Sequence, residues 1–311
     1  MSQDQQSQDT HRTVVDQLTM QNPVTRYPEI TPPSSQHQVE PGLDVKLEPL
    51  ADIGEHSYRG TGRLQGRKAL LTGADSGIGA AVAIAFLREG ADVALNYLPD
   101  EQADAERIRE IADKEGRRIA LLPGDLSERE VCEALPGQAA EALDGLDALV
   151  LNAGKQISVD SIEDLDDQQL VDTFTVNIIA MFRMVKAALP HLEAGATIVT
   201  TTSVQAYDPS PNLLDYASTK AAINNFTKGL AQQLAPKGIR ANAVAPGPIW
   251  TPLQVSSGQP KEKLPEFGKN TPLGRAGQPT ELAPAYVFLT SPESSYVLGE
   301  TLVVNGGTAL V

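Results

Sequence analysis

Tyr216 and Lys220 stand four positions apart in Asp215-Tyr216-Ala217-Ser218-Thr219-Lys220. On a helix, positions i and i+4 share one face, so the phenol and the ammonium point to the same place. A tyrosine hydroxyl, with an ordinary pKa of about 10, is a poor acid at neutral pH. A cation held beside it stabilises the phenolate and lowers that value, which suits the tyrosine to general acid or base work. Upstream lies a glycine-rich turn, Thr72-Gly73-Ala74-Asp75-Ser76-Gly77-Ile78-Gly79. Gly73, Gly77 and Gly79 let the backbone approach a pyrophosphate, and a helix opening there supplies unpaired N–H groups and positive potential. Taken singly, the first fragment could be an ordinary exposed helix pair and the second a tight turn with no ligand. Together they describe a dinucleotide site and a proton-transfer site on one folded unit.

The elements that must position them follow from short apolar runs alternating with helical periods. Strands are predicted over 68–71, 91–97, 118–122, 146–152, 196–201, 240–245 and 301–305. Helices are predicted over 78–89, 101–115, 127–143, 166–191, 212–234 and 281–289, with Pro136 breaking the third. This alternation predicts a seven-stranded parallel sheet covered on both faces, a doubly wound Rossmann-type α/β domain. Its ligand belongs at the carboxyl ends of the strands. Residues 1–62 differ. They are rich in Gln, Pro, Ser and Asp (Pro23, Pro28, Pro32, Pro33, Pro41 and Pro49 among them) and show no helical or strand period. They read as an extension without its own core, either a tail or an arm anchored through Tyr27, Ile30, Leu43, Val45, Leu47 and Leu50. Residues 63–311 are then the catalytic domain, with a Pro- and Gly-rich substrate lid at about 247–278.

Composition narrows the partners. The chain has 311 residues, 41% hydrophobic and 21% charged, which suits one large globular domain. A net charge of -15 argues against nucleic acid or an anionic membrane. The single cysteine, Cys132, excludes an intrachain disulfide and sits among acidic neighbours that disfavour a thiolate. His11, His37, His56 and His191 make no metal-binding spacing, so no metal is expected. No apolar run reaches the roughly 20 residues that cross a bilayer. The start, Met1-Ser2-Gln3-Asp4-Gln5-Gln6, has neither a basic nor an apolar segment, so a cytoplasmic protein is expected.

The spacing Thr-Gly-xxx-Gly-x-Gly resembles that of the classical short-chain dehydrogenases/reductases, and further motifs of that family occur in order between about Gly66 and Val311. Gly124-Asp125-Leu126 resembles its adenine site. Leu151-Asn152-Ala153-Gly154 resembles its Asn-Asn-Ala-Gly element, with Leu151 in place of the first Asn. Asn177 matches the helix asparagine of its proton relay, and Ser203 precedes Tyr216 by the family's interval. Pro246-Gly247-Pro248-Ile249 resembles its Pro-Gly segment, and Thr251 the residue that meets the carboxamide. The long polar extension brings the chain close to a bacterial subgroup of glucose/ribitol-type, general-stress and aldehyde-reductase-like members.

The resemblance implies an NAD(P)-dependent oxidoreductase that interconverts an alcohol and an aldehyde or ketone. Tyr216 would move the proton and Ser203 would hold the substrate oxygen. Lys220 would grip the nicotinamide ribose, and Asn177 a water linking Lys220 to solvent. Gly73, Asp75, Ser76, Gly77, Ile78, Gly79, Asn96, Tyr97, Asp125, Leu126, Asn152, Ala153, Gly154, Pro246, Gly247, Ile249 and Thr251 would join Tyr216 and Lys220 around the cofactor. The end of the second strand, Leu95-Asn96-Tyr97-Leu98, carries no carboxylate, which permits NADP. Ser76 offers no charge for the extra phosphate, and Asp100 and Glu101 follow closely. The balance leans slightly to NADP over NAD. The lid carries no arginine cluster, which favours a small neutral aldehyde, ketone or polyol. Trp250 could line the pocket or pack, His191 reads as a capping or surface residue, and Arg275 as structural. A homotetramer follows from the family alone. The rival functions are a nucleotide-binding sensor or scaffold without turnover and, with little room for it, a sugar epimerase or dehydratase.

Overall fold

The computed structural model describes residues 15–30, 32 and 36–309. The opening hexapeptide, His11 and Pro33 lie outside the described residues. Seven strands form one sheet: β1 (Lys68–Thr72), β2 (Asp92–Tyr97), β3 (Ile119–Pro123), β4 (Ala148–Leu151), β5 (Thr197–Thr201), β6 (Arg240–Pro246) and β7 (Thr301–Val304). Every pairing is parallel, in the order β3-β2-β1-β4-β5-β6-β7. The order reverses between β1 and β4, so a crevice must open above their carboxyl ends.

Burial on both faces explains the unbroken apolar runs of the strands. Alternate side chains go to opposite layers. Ala69 and Leu71 of β1, Val150 of β4 and Val199 of β5 pack with α1 (Gly77–Arg88), α2 (Gln102–Glu115) and α7 (Ala283–Thr290). Leu70, Leu149, Leu151 and Ile198 pack with α3 (Arg129–Leu143), α5 (Ala180–Ala188) and α6 (Leu214–Leu234).

Two local expectations are corrected. Pro136 does not break its helix: α3 runs continuously through it, with the proline ring buried. The long helix predicted over 166–191 is not one element. It begins as α4 (Asp167–Phe174), capped by the Asp166 carboxylate on the amides of Gln168 and Gln169. A π turn, Thr175–Ile179, follows before α5 resumes, and Leu189–His191 ends the run as a 3-10 turn. His191 is exposed there.

The described part of the extension has one 3-10 turn, Asp44–Lys46, and otherwise irregular backbone. It runs along the sheet-bearing unit and is fixed at many points. The Arg275 guanidinium donates to the Pro23 carbonyl (2.8 Å). The Tyr27 hydroxyl donates to Asp52 (2.6 Å), and the amide of Asp52 donates to the Gln278 side chain (2.8 Å). Farther along, Arg88 donates to the carbonyls of Gly54, Glu55 and Tyr58. Ile30 and Leu47 complete a third apolar cluster with Trp250, Val255, Leu264 and Ala276 of the segment 247–278. Trp250 is therefore a packing residue: it is fully buried and donates its indole N–H to the Pro49 carbonyl (2.8 Å).

Candidate active site

The crevice above β1 and β4 is a cleft of about 880 Å³. The glycine turn forms one wall. Gly77 has a left-handed backbone (φ 52°), and a Cβ there would press on the Thr251 side chain at 3.0 Å. At Gly79 a Cβ would lie 1.9 Å from the Gly73 carbonyl oxygen, so no side chain is possible. The turn thus delivers bare backbone and the N-terminus of α1 to the cleft, which fits a pyrophosphate; the Gly77 amide there donates to the Asp44 carboxylate (2.9 Å). β1 and β4 are knitted at this point by Thr72. Its hydroxyl accepts from the amides of Asn152 (3.0 Å) and Ala153 (3.2 Å), while the Asn152 amide group donates to the Gly73 carbonyl (2.9 Å).

Gly73, Asp75, Ser76, Gly77, Ile78, Asn96, Tyr97, Asp125, Leu126, Asn152, Ala153, Gly154, Ser203, Tyr216, Lys220, Pro246, Gly247, Ile249 and Thr251 all line the cleft. Gly79 and Asn177 lie behind its wall. Asn96 is buried, with its side-chain amide committed to the carbonyls of Leu122 (3.1 Å) and Gly124 (3.0 Å). Carboxylates collect near this end of β2. Burial pushes Glu101 up to about 7, and burial also holds Asp75 well above the carboxylate range; one oxygen of Asp75 has no partner. Asp125 accepts from the Ser127 amide (2.8 Å).

At the other end, α6 presents Tyr216 and Lys220 on one face, as the spacing required, and β5 ends beneath them. The Lys220 ammonium lies 5.2 Å from the Tyr216 ring centroid and donates to the Thr201 carbonyl (3.0 Å). Ser203 lines the cleft with Tyr216 and accepts from the Gln205 amide (3.2 Å). One expectation is reversed here. Burial pushes the phenol up to about 12, against the opposing pull of Ser203, and burial pushes Lys220 down to about 8. Desolvation is the leading cause for both groups.

Asn177, fully buried in the π turn, accepts from the Lys155 amide (2.6 Å) and donates to the Lys155 carbonyl (2.9 Å) and the Thr219 hydroxyl (3.0 Å). A Cβ at Gly154 would lie 3.5 Å from both the Asn177 side-chain oxygen and the Lys220 nitrogen, so the glycine keeps open the space between them. Sequence reasoning missed Lys155, although it directly follows Asn152-Ala153-Gly154. It also missed Glu40, Pro41 and Gly42, which reach the cleft from a segment with no periodicity to betray them. Among the described residues no cluster of His, Cys, Asp or Glu could hold a metal ion, and no helix is long and apolar enough to cross a membrane.

Residues 73–309 match the profile described as Enoyl-(Acyl carrier protein) reductase. The chain belongs to the classical short-chain dehydrogenase/reductase family. It is 58% identical over 275 residues to the uncharacterized oxidoreductase YhxD of Bacillus subtilis, covering 88% of this chain and 92% of that one. General stress protein 39 of the same organism is 44% identical, with 91% and 98% covered. A short-chain dehydrogenase from Burkholderia cenocepacia, solved in complex with NADP, superposes with a TM-score of 0.73 at 32% identity, covering 79% of this chain and 98% of that one. The family supports an oxidoreductase that uses NAD(P), and the glycine turn and the cleft fit that cofactor.

Proposed function

We propose that the protein interconverts a small alcohol and the corresponding aldehyde or ketone, with Tyr216 as general acid/base. The observation that carries this is one cleft joining the glycine turn to the buried group of Ser203, Tyr216 and Lys220. The dinucleotide, when bound, supplies or accepts the hydride at the carbinol carbon. In reduction, Tyr216 gives its proton to the carbonyl oxygen as negative charge develops there. Ser203 donates a hydrogen bond to the same oxygen and stabilises that charge. Lys220 holds positive charge beside the resulting phenolate. Asn177 fixes the Lys155 backbone and borders the space next to Lys220, where a water can return the proton. The other residues named around the cleft hold the cofactor.

Among the described residues, the cations that line the cleft are Lys155 and Lys220. Lys155 is paired with Glu40 (2.7 Å) and Lys220 is buried, which supports a neutral substrate. Residues 63–311 form the catalytic unit, and four such chains associate.

The test is a fluorescence titration with NADPH and NADH, then an aldehyde and ketone panel with the tighter cofactor. The native protein turns over, and Tyr216→Phe binds cofactor as tightly but loses about 10²–10⁴ in kcat. Near-native turnover by Tyr216→Phe rejects the assigned role. Cofactor binding without turnover of any substrate by the native protein points instead to a sensor or scaffold.

A further inference from the structure

We propose that residues 36–53 are a clasp that holds the substrate lid closed over the cleft, with Glu40 as the positioning residue at its centre. The lid and the clasp meet along their length. The Gln38 amide donates to the Val255 carbonyl (3.0 Å), and the Trp250 indole donates to the Pro49 carbonyl (2.8 Å). Gly42 lies against Pro252 so closely that a Cβ would meet its carbonyl oxygen at 3.0 Å.

Glu40 does more than pack. One carboxylate oxygen accepts from the Lys155 ammonium (2.7 Å), and the other accepts from the Ser257 hydroxyl. Lys155 belongs to the wall that Asn177 fixes, whereas Ser257 belongs to the lid turn Gln254–Gly258. A single side chain therefore bridges the lid to the opposite rim, and Glu40, Pro41 and Gly42 themselves line the cleft.

Four residues on, the clasp is pinned to the dinucleotide turn. Asp44 is 3% exposed. Its carboxylate accepts from the Gly77 amide at the start of α1 (2.9 Å), and its own amide donates to Asp104 (2.7 Å). Four residues span at most about 14 Å, so the pin and the bridge cannot move independently by much. Lid closure and the geometry of the glycine turn are thereby mechanically joined. A clasped mouth admits small substrates and excludes bulky ones.

The decisive experiment is hydrogen exchange on the full-length, ligand-free protein, comparing the native chain with Glu40→Ala and Ser257→Ala. The amides of 254–258 exchange about five- to tenfold faster in both variants, while α1 retains its protection. Native-like protection of 254–258 in both variants overturns the proposal, as does faster exchange spread evenly over the whole chain. The kinetic arm rests on the proposed oxidoreductase reading. With a small carbonyl, Glu40→Ala loses about two- to fivefold in kcat/KM, mostly through KM, the scale of a partly exposed ion pair. Added salt raises native KM, but not that of Glu40→Gln, which keeps a hydrogen bond to Ser257 and lacks the charge. A loss carried by kcat alone overturns the positioning role. If exchange responds as expected and no carbonyl turns over, the clasp stands and the catalytic reading falls.

Discussion

Burial drives Tyr216 and Lys220 in opposite directions, the phenol up to about 12 and the ammonium down to about 8. The proposed carbonyl reduction needs both groups protonated: the phenol to give its proton, the ammonium to face the phenolate left behind. The phenol meets that condition across the working range, so the lysine sets the limit. For the free enzyme, kcat/KM for reduction should be level up to pH about 8 and then fall as Lys220 loses its proton. A profile that rises between pH 8 and 10 would remove Lys220 from this role. At the far end of the cleft, Glu101 is pushed up to about 7, first by burial and then by Asp104, Asp100 and Asp44. It is charged above that value and neutral below it. A 2′-phosphate near the end of β2 is repelled by the charged form. The affinity for NADPH relative to NADH should therefore improve by about three- to tenfold as pH falls from 8 to 6. Glu101→Gln should hold the low-pH ratio throughout. The same pH dependence in that variant would mean that Glu101 is not the responsible group.

The chemistry of this fold depends on where elements stop. The π turn at Thr175–Ile179 places Asn177 inside the wall, bonded to both backbone groups of Lys155. Replacing it with alanine leaves the part-buried Lys155 N–H without its partner and removes two further bonds. Asn177→Ala should therefore cost on the order of 2–4 kcal/mol in urea unfolding. A loss under about 0.5 kcal/mol, typical of a surface change, would contradict this account of the wall. The strands, their parallel pairing and the i, i+4 pair were legible in the sequence because each leaves a periodic or spaced trace. The π turn was not legible, since one extra residue in a turn barely disturbs the helical period over 166–191. Pro136 misled because its effect on a helix depends on whether the surrounding packing holds the chain straight. The phenol's upward shift could not be read from spacing either, as it depends on burial by residues scattered along the chain. The clasp left no periodic signal at all: its anchors Gln38, Glu40, Asp44 and Pro49 meet partners scattered along the chain at Gly77, Lys155, Trp250, Val255 and Ser257.

At the scale of the whole molecule, a chain with net charge -15 still exposes two apolar regions. Val171 of α4, Ile179, Phe182 of α5 and Leu214 of α6 are each 41–56% exposed. Phe182 is braced by Phe226 with ring centroids 4.4 Å apart, so it is a fixed surface feature. The second region follows the sheet edge, where Val303 of β7, Leu298 and the fully exposed Tyr296 stand together in sequence. β7 has a neighbour on one side only. Solvent-facing apolar side chains grouped this way mark association surfaces. Two different self-complementary surfaces on one chain would generate a tetramer, a dimer of dimers, whereas one alone would stop at the dimer. Light scattering behind size exclusion should give about four times the chain mass of 33.1 kDa. Phe182→Glu should reduce that to a dimer by placing a carboxylate in one interface while leaving the β7 edge intact. Because like net charge opposes assembly, raising the salt should strengthen the native tetramer. A native protein that runs as a monomer at all salt concentrations would rule out both surfaces, and a Phe182→Glu variant that stays tetrameric would rule out the helical one.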